Sequence, residues 1–310
     1  MAESAKRFFR VLVLVFLCST RGLCNTDNRY WKLASGETFH AELVRYDPVE
    51  DVAVLRINEE EERTYSLEDF SPMDSAWLLE WAEVSADLDD LVLQMEGQFS
   101  HYQHQGEHVV DFYAYTPNKH RTVKELPLLI LFHPGGKGAR YVKRLMPAAE
   151  ELDLILVSSD AFRNGPTNLE LFEELLPSIE ATVPHDGNRL FMGGASGGAM
   201  KAYGFSAHVD RPWAGILANG GWLGGEDYYD LPYCRGMRVA MLNGHKDRAA
   251  NRWIKPDAEV LEARGCSVNI FAFEGTHQIP SAEDHIEALG WLLDGEEQGT
   301  DAESSVPDPE

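Results

Sequence analysis

The sequence predicts an α/β protein built on a mostly parallel, doubly wound sheet, with a smaller all-β unit ahead of it. Three observations carry this. From Leu126 onward, short apolar runs alternate with helix-length stretches, as buried parallel strands and their crossover helices do. Residues 29–84 have another texture, short strands separated by tight turns. Between Leu190 and Met200 the chain reads LFMGGASGGAM, an apolar run feeding small residues around one serine.

The elements follow in order. Residues 1–24 have the build of a secretory signal: Lys6, Arg7 and Arg10, then the apolar core Val11 to Cys18, then Gly22 and Cys24 at the cleavage positions. The expectation is a secreted or periplasmic protein, with an uncleaved N-terminal anchor as the alternative. In the next unit, residues 37–46 and 51–57 alternate apolar and polar in part, as half-buried strands should. Asp47-Pro48 turns between them, the Glu59 to Glu62 run suits the next exposed turn, and residues 63–66 form a short strand. Ser71-Pro72 opens a helix through Trp81, with Ser71 as N-cap and Pro72 at the first helical position. Such a set of strands suggests a small SH3-like barrel.

Trp31, Gly36, Ala41-Glu42-Leu43-Val44, Val54-Leu55 and Leu67-x-x-Phe70-Ser71-x-x-Asp74 also resemble the Sla-one homology domain, an SH3-like module, over residues 29–82. Phe70 departs mildly from that pattern, which usually has leucine. The resemblance implies a structural unit, or one that docks a peptide or protein.

Residues 85–96 are acidic and leucine-rich, suited to a linker helix. Residues 98–103 and 108–115 read as an antiparallel hairpin, and 116–125 as a polar connection. Strands are then expected at 126–132, 154–158, 189–192, 213–218, 238–243 and 267–273. Helices are expected at 140–152, 168–182, 198–208, 257–264 and 282–293. Together they make one unit over residues 97–294. Residues 295–310 are acidic, carry two prolines and one large apolar residue, and read as a disordered tail.

The composition narrows the function. A net charge of -24, from 51 acidic against 27 basic residues, argues against nucleic acid and repels anionic membranes. The four cysteines include no C-x-x-C pair. The histidines at 101, 104 and 108 straddle a hairpin turn without a supporting carboxylate or cysteine pattern, so no metal is expected.

Sites in doubly wound sheets form at the carboxyl ends of strands. After 126–132 comes His133-Pro134-Gly135-Gly136, whose glycines free amides to meet a substrate oxygen. After 189–192 comes G-x-S-x-G around Ser196, a sharp turn that holds a hydroxyl out of the chain. Asp247 follows the strand at 238–243, and His277 the strand at 267–273. The order Ser196…Asp247…His277 is that of a nucleophile, its orienting acid and its base. Gly135, Gly136 and Gly197 are the candidate oxyanion donors. Asp160 is a weaker candidate acid, and His285 falls inside the last helix pattern. His133, Trp222, Tyr228 and His245 are candidate substrate contacts. The short segment from Asn219 to Met237 leaves no room for a large cap.

On these residues, 97–294 resembles the α/β-hydrolase superfamily, and GASGGAM with HPGG is similar to its poly(hydroxyalkanoate) depolymerase and feruloyl esterase branch. That branch usually has alanine where Gly197 stands, which implies a looser helix entrance here. The resemblance implies a cofactor-independent serine hydrolase of carboxylic esters, small or polymer-attached. A serine peptidase on the same fold and a non-catalytic scaffold are the alternatives. Cys234 and Cys266 each precede one of two neighbouring strands, so a disulfide and a pair of unlinked buried thiols both remain open.

Overall fold

Four strands in chain order, β1 (Asn28–Lys32), β2 (Thr38–Asp47), β3 (Val52–Arg56) and β4 (Glu62–Ser66), form an antiparallel sheet. The computed structural model describes residues 28–47, 51–58, 61–165, 168–233 and 235–295. The signal-like N-terminus, Pro48 of the first turn, Glu59 and Glu60, Cys234 and the acidic tail from residue 296 lie outside the described residues. Alternation explains the sheet. Ala41, Leu43 and Tyr46 of β2 turn inward, with a bulge between Leu43 and Arg45 resetting the face. Trp31, Ala53, Leu55 and Phe70 complete the core, and the Trp31 indole donates to the Ala41 carbonyl at 2.9 Å.

Helix α1 (Pro72–Gln94) starts where Ser71 and Pro72 predict it. Ser71 Oγ accepts from the Asp74 amide at 3.3 Å, the N-cap bond. The buried Asp74 carboxylate also takes the Lys32 amide and the Arg29 guanidinium, tying helix to first strand. The helix does not stop at Trp81. It runs unbroken into the stretch expected to be a linker helix, because nothing before Gly97 breaks it and its leucines keep a helical spacing. Leu78 packs in the small core, while Leu91 and Val92, with Met95 beyond the helix, pack against a core cluster of the large sheet.

The large sheet has eight strands: β5 (Gln98–Gln105), β6 (Val109–Thr116), β7 (Leu128–Phe132), β8 (Ile155–Ser159), β9 (Leu190–Ala195), β10 (Trp213–Asn219), β11 (Arg238–Gly244) and β12 (Ser267–Phe273). Their order is β12-β11-β10-β9-β7-β8-β6-β5. Pairing is parallel from β12 to β8, and antiparallel from β8 to β6 and β6 to β5. Helices α2 (Gly138–Glu151), α3 (Leu169–Thr182), α4 (Gly197–His208), α5 (Arg248–Asn251), α6 (Ile254–Ala263) and α7 (Ala282–Leu293) complete the unit. The wholly buried strands β7, β8 and β9 have apolar clusters on both faces, as their unbroken apolar runs require. The β5–β6 turn is fixed to α3 by Glu174, whose carboxylate meets His104 Nε2 at 2.9 Å and His108 Nδ1 at 2.7 Å. Among the described residues no group of three His, Cys, Asp or Glu side chains is arranged to hold a metal, and no helix is long and apolar enough to cross a membrane.

The two sheets meet at the loop after β7. Lys137 Nζ donates to the Leu43 carbonyl at 3.2 Å and lies 3.4 Å from Glu42. Glu42 also pairs with Arg56 at 3.0 Å and stands 4.0 Å from Arg163. Arg140 of α2 stacks over the Trp81 ring of α1, and Lys143 pairs with Asp89.

Candidate active site

Ser196 sits between β9 and α4 with φ 51° and ψ −119°. That backbone costs a non-glycine residue about 1–3 kcal/mol and persists only where its surroundings impose it. Here the flanking glycines allow it. A Cβ on Gly194 would lie 2.7 Å from the Phe132 carbonyl oxygen, and one on Gly198 would lie 2.7 Å from the same carbonyl carbon. The turn therefore forms only by passing directly over the end of β7, and its middle residue projects into the open. The Ser196 amide is fixed from the other side by the Asn219 carbonyl at 2.8 Å.

Strand ends β11 and β12 supply the partners. His277 Nε2 lies 2.9 Å from Ser196 Oγ, and His277 Nδ1 lies 2.7 Å from Asp247 Oδ2. Asp247 is buried, and its second oxygen, Oδ1, accepts the Ala249 and Ala250 amides at 3.0 Å each. The carboxylate thus caps α5 with one oxygen and faces the imidazole with the other. In that arrangement Nδ1–H donates to Asp247, which leaves Nε2 as an acceptor towards the serine hydroxyl.

An open cavity of about 450 Å³ adjoins Ser196. Leu169, Met200, Phe205, Trp222 and Tyr228 give it apolar walls, and Asn164, Lys201 and His208 give it polar ones. Trp222 and Tyr228, two of the candidate substrate contacts, thus line the same cavity as Ser196. The loop that carries Trp222 is held by the buried Asp257, which accepts the Leu223 amide at 2.8 Å. Burial raises the Asp257 carboxyl and lowers the Lys201 amine from their ordinary ranges.

Other expectations need correction. His133 is buried, not a substrate contact. Its Nδ1 accepts the Gly135 amide at 3.0 Å, and burial, with Arg140, Lys137 and Arg144 nearby, pushes its pKa down to about 3. His245 is exposed and faces Glu274 at 3.6 Å, apart from the cavity. Gly135 and Gly136 do not offer free amides. The first is taken by the His133 ring and the second by the His133 carbonyl at 3.1 Å, and both residues line the pocket near Glu42 instead. Gly197 does line the cavity. Asp160 is occupied by the Gly138 amide at 2.6 Å. His285 is fully buried, held by Ser281 and Asn219. Cys266 is buried just before β12, and its proposed disulfide partner Cys234 lies outside the described residues.

Sequence reading missed Asn164, Lys201 and His208. Asn164 had a signal: it follows β8, at the carboxyl end of another parallel strand. Lys201 and His208 lie one and three turns into α4, on a face that nothing in the sequence distinguishes.

The order of the large sheet, with its parallel run from β12 to β8 and its helices between strands, coincides with a known architecture. The fold is that of the α/β-hydrolases. A ferulic acid esterase superposes with a TM-score of 0.50 at 14% identity, over 64% of this chain and 97% of its own. Esterase LipW from Mycobacterium marinum gives 0.54 at 15%, over 68% and 86%. An S-formylglutathione hydrolase from Agrobacterium tumefaciens gives 0.52 at 15%, over 64% and 95%. No protein-family model matches the sequence, and no curated protein matches it significantly.

Proposed function

We propose that this α/β-hydrolase-fold protein is a carboxylic ester hydrolase in which Ser196, His277 and Asp247 act as nucleophile, base and orienting acid. One observation carries the reading: the unbroken hydrogen-bond chain from Ser196 Oγ through the imidazole to Asp247, at 2.9 and 2.7 Å. Each of its members lies at the end of a parallel strand. Strained serine backbone, a correctly directed imidazole and a buried carboxylate seldom coincide without acyl-transfer chemistry.

The proposed steps are those of acyl transfer. Ser196 Oγ attacks the acyl carbon while His277 Nε2 takes its proton, and the carbonyl pair moves onto oxygen as an oxyanion. Asp247 stabilises the imidazolium. The oxyanion collapses, the C–O bond to the alcohol breaks, and the imidazolium protonates the departing alkoxide. Water repeats the sequence on the acyl-enzyme and returns Ser196. The Gly197 amide, at the start of α4, is one oxyanion donor. An open cavity with aromatic walls suits an ester with a bulky group on one side.

The readings of residues 1–24 as a secretory signal, and of the small sheet as a Sla-one homology unit that docks a peptide or protein, belong to this proposal. So do the domain limits at 29–84 and 97–294. The strands between Asn28 and Ser66 and the core around Trp31 support the small unit.

The deciding experiment treats the protein with a fluorophosphonate probe and with p-nitrophenyl esters. The expected result is a label on Ser196 and ester turnover that Ser196→Ala abolishes. Full turnover by Ser196→Ala would refute it.

A further inference from the structure

The glycine loop after β7 leaves the oxyanion short of a donor, since the Gly135 and Gly136 amides are both taken by His133. Gly197 lines the cavity, and its amide, which has no backbone acceptor among the described residues, is one donor. A tetrahedral intermediate of acyl transfer ordinarily meets at least two.

The cavity wall holds another group of the right kind. Asn164 follows β8 and shares the cavity with Ser196 and Gly197. Its backbone is anchored to the loop after β7, the Asn164 amide donating to the Pro134 carbonyl at 2.7 Å. Its carboxamide is exposed and has no hydrogen-bond partner among the described residues. It also lies directly against Gly197. A Cβ built there would penetrate Asn164 Oδ1, with Cγ at 2.8 Å and Nδ2 at 3.1 Å. The glycine of this elbow is therefore the residue that gives the asparagine room.

We propose that the Asn164 carboxamide is the second oxyanion donor, its Nδ2–H acting with the Gly197 amide on the oxygen that Ser196 attack makes negative. The proposal rests on the hydrolase reading above. It replaces a backbone donor with a side chain, which contributes only once a half-turn about its last bond has set nitrogen rather than oxygen towards the substrate. An amide brings no charge of its own, so it leaves the imidazole undisturbed and acts when the negative oxygen forms.

The test uses the full-length protein with p-nitrophenyl acetate, and with an alkyl trifluoromethyl ketone that Ser196 converts to a hemiketal oxyanion. Asn164→Ala and the isosteric Asn164→Asp are the variants. Removal of one side-chain donor is expected to lower kcat by about 10²–10³ with KM little changed. Affinity for the ketone should fall with it, and fluorophosphonate labelling of Ser196 should persist. The melting temperature should hold because the side chain is exposed and contributes no hydrogen bond to the fold. A kcat loss of less than about tenfold in either variant overturns the proposal, as does a larger loss with ketone affinity unchanged, which would make Asn164 a positioning residue. Wild-type protein that neither labels nor turns over ester would instead refute the hydrolase reading itself.

Discussion

Asp247 divides its carboxylate between two tasks: Oδ2 holds His277 Nδ1 at 2.7 Å, and Oδ1 closes the first turn of α5 on the Ala249 and Ala250 amides. The two can be separated. Asp247→Asn keeps an oxygen for the helix and turns an NH₂ towards the imidazole, which then settles in the wrong tautomer. The expected outcome is a kcat lower by about 10⁴ with an unchanged melting temperature. Asp247→Ala should lose the same activity and also about 1 kcal/mol of stability, the worth of an N-cap. Kinetics and urea denaturation on the pair check this, and equal stabilities would count against the capping role.

Gly197→Ala places a methyl group where Asn164 Oδ1 now lies. The exposed asparagine is the part free to move, so the fold should tolerate the change and the carboxamide should be displaced. The expected kcat matches that of Asn164→Ala, and the double variant should be no worse than either alone. Additive losses in that cycle would contradict a shared origin.

Gly204 lies on α4 at the cavity wall, with nothing within 4 Å of a built Cβ. Gly204→Leu should stabilise the helix by about 0.5–1 kcal/mol, since glycine is a poor helix former. Its side chain should occupy the cavity and lower kcat/KM for long-chain esters by about tenfold relative to acetate, the lower end of what a pocket contact is worth. A panel of p-nitrophenyl esters with a thermal melt measures both. An unchanged chain-length profile would place the substrate elsewhere.

His133 and His285 are buried with pKa values pushed down to about 3 and about 4 by burial. The unfolded chain protonates its histidines near 6.5, so below that value it gains protons that the folded chain does not. Stability is therefore full above pH 6.5 and declines as pH falls, by up to about 1.4 kcal/mol per unit for each group. Between pH 6.5 and 5 this precedes most carboxylate titration. His133→Asn keeps an acceptor for the Gly135 amide and should flatten the decline by about half. Urea midpoints across that range test it, and a wild-type midpoint independent of pH would exclude the effect.

The strand ends explain how much of the site is readable from sequence. Ser196, Asp247 and His277 each follow an apolar run, so their neighbourhood is implied once the sheet is taken as parallel. The HPGG loop is different. Its glycines look like free amides in sequence, but the fold turns the buried His133 back onto them, a local hydrogen-bonded loop that pattern cannot reveal. Gly197 shows the same limit: in sequence it loosens the elbow, whereas in space it admits a side chain from the β8 loop. That α1 and the expected linker helix are one continuous helix was not legible, because no residue between Trp81 and Gly97 marks whether the two join.

Helix α1 has 23 residues, about 35 Å at helical rise, and buries apolar side chains in the small core near one end and against the large sheet at the other. Such a connection is a strut rather than a tether. The small sheet is therefore held at one bearing and one distance from the large one, and the separation is a matter of geometry, set by the length of a helix.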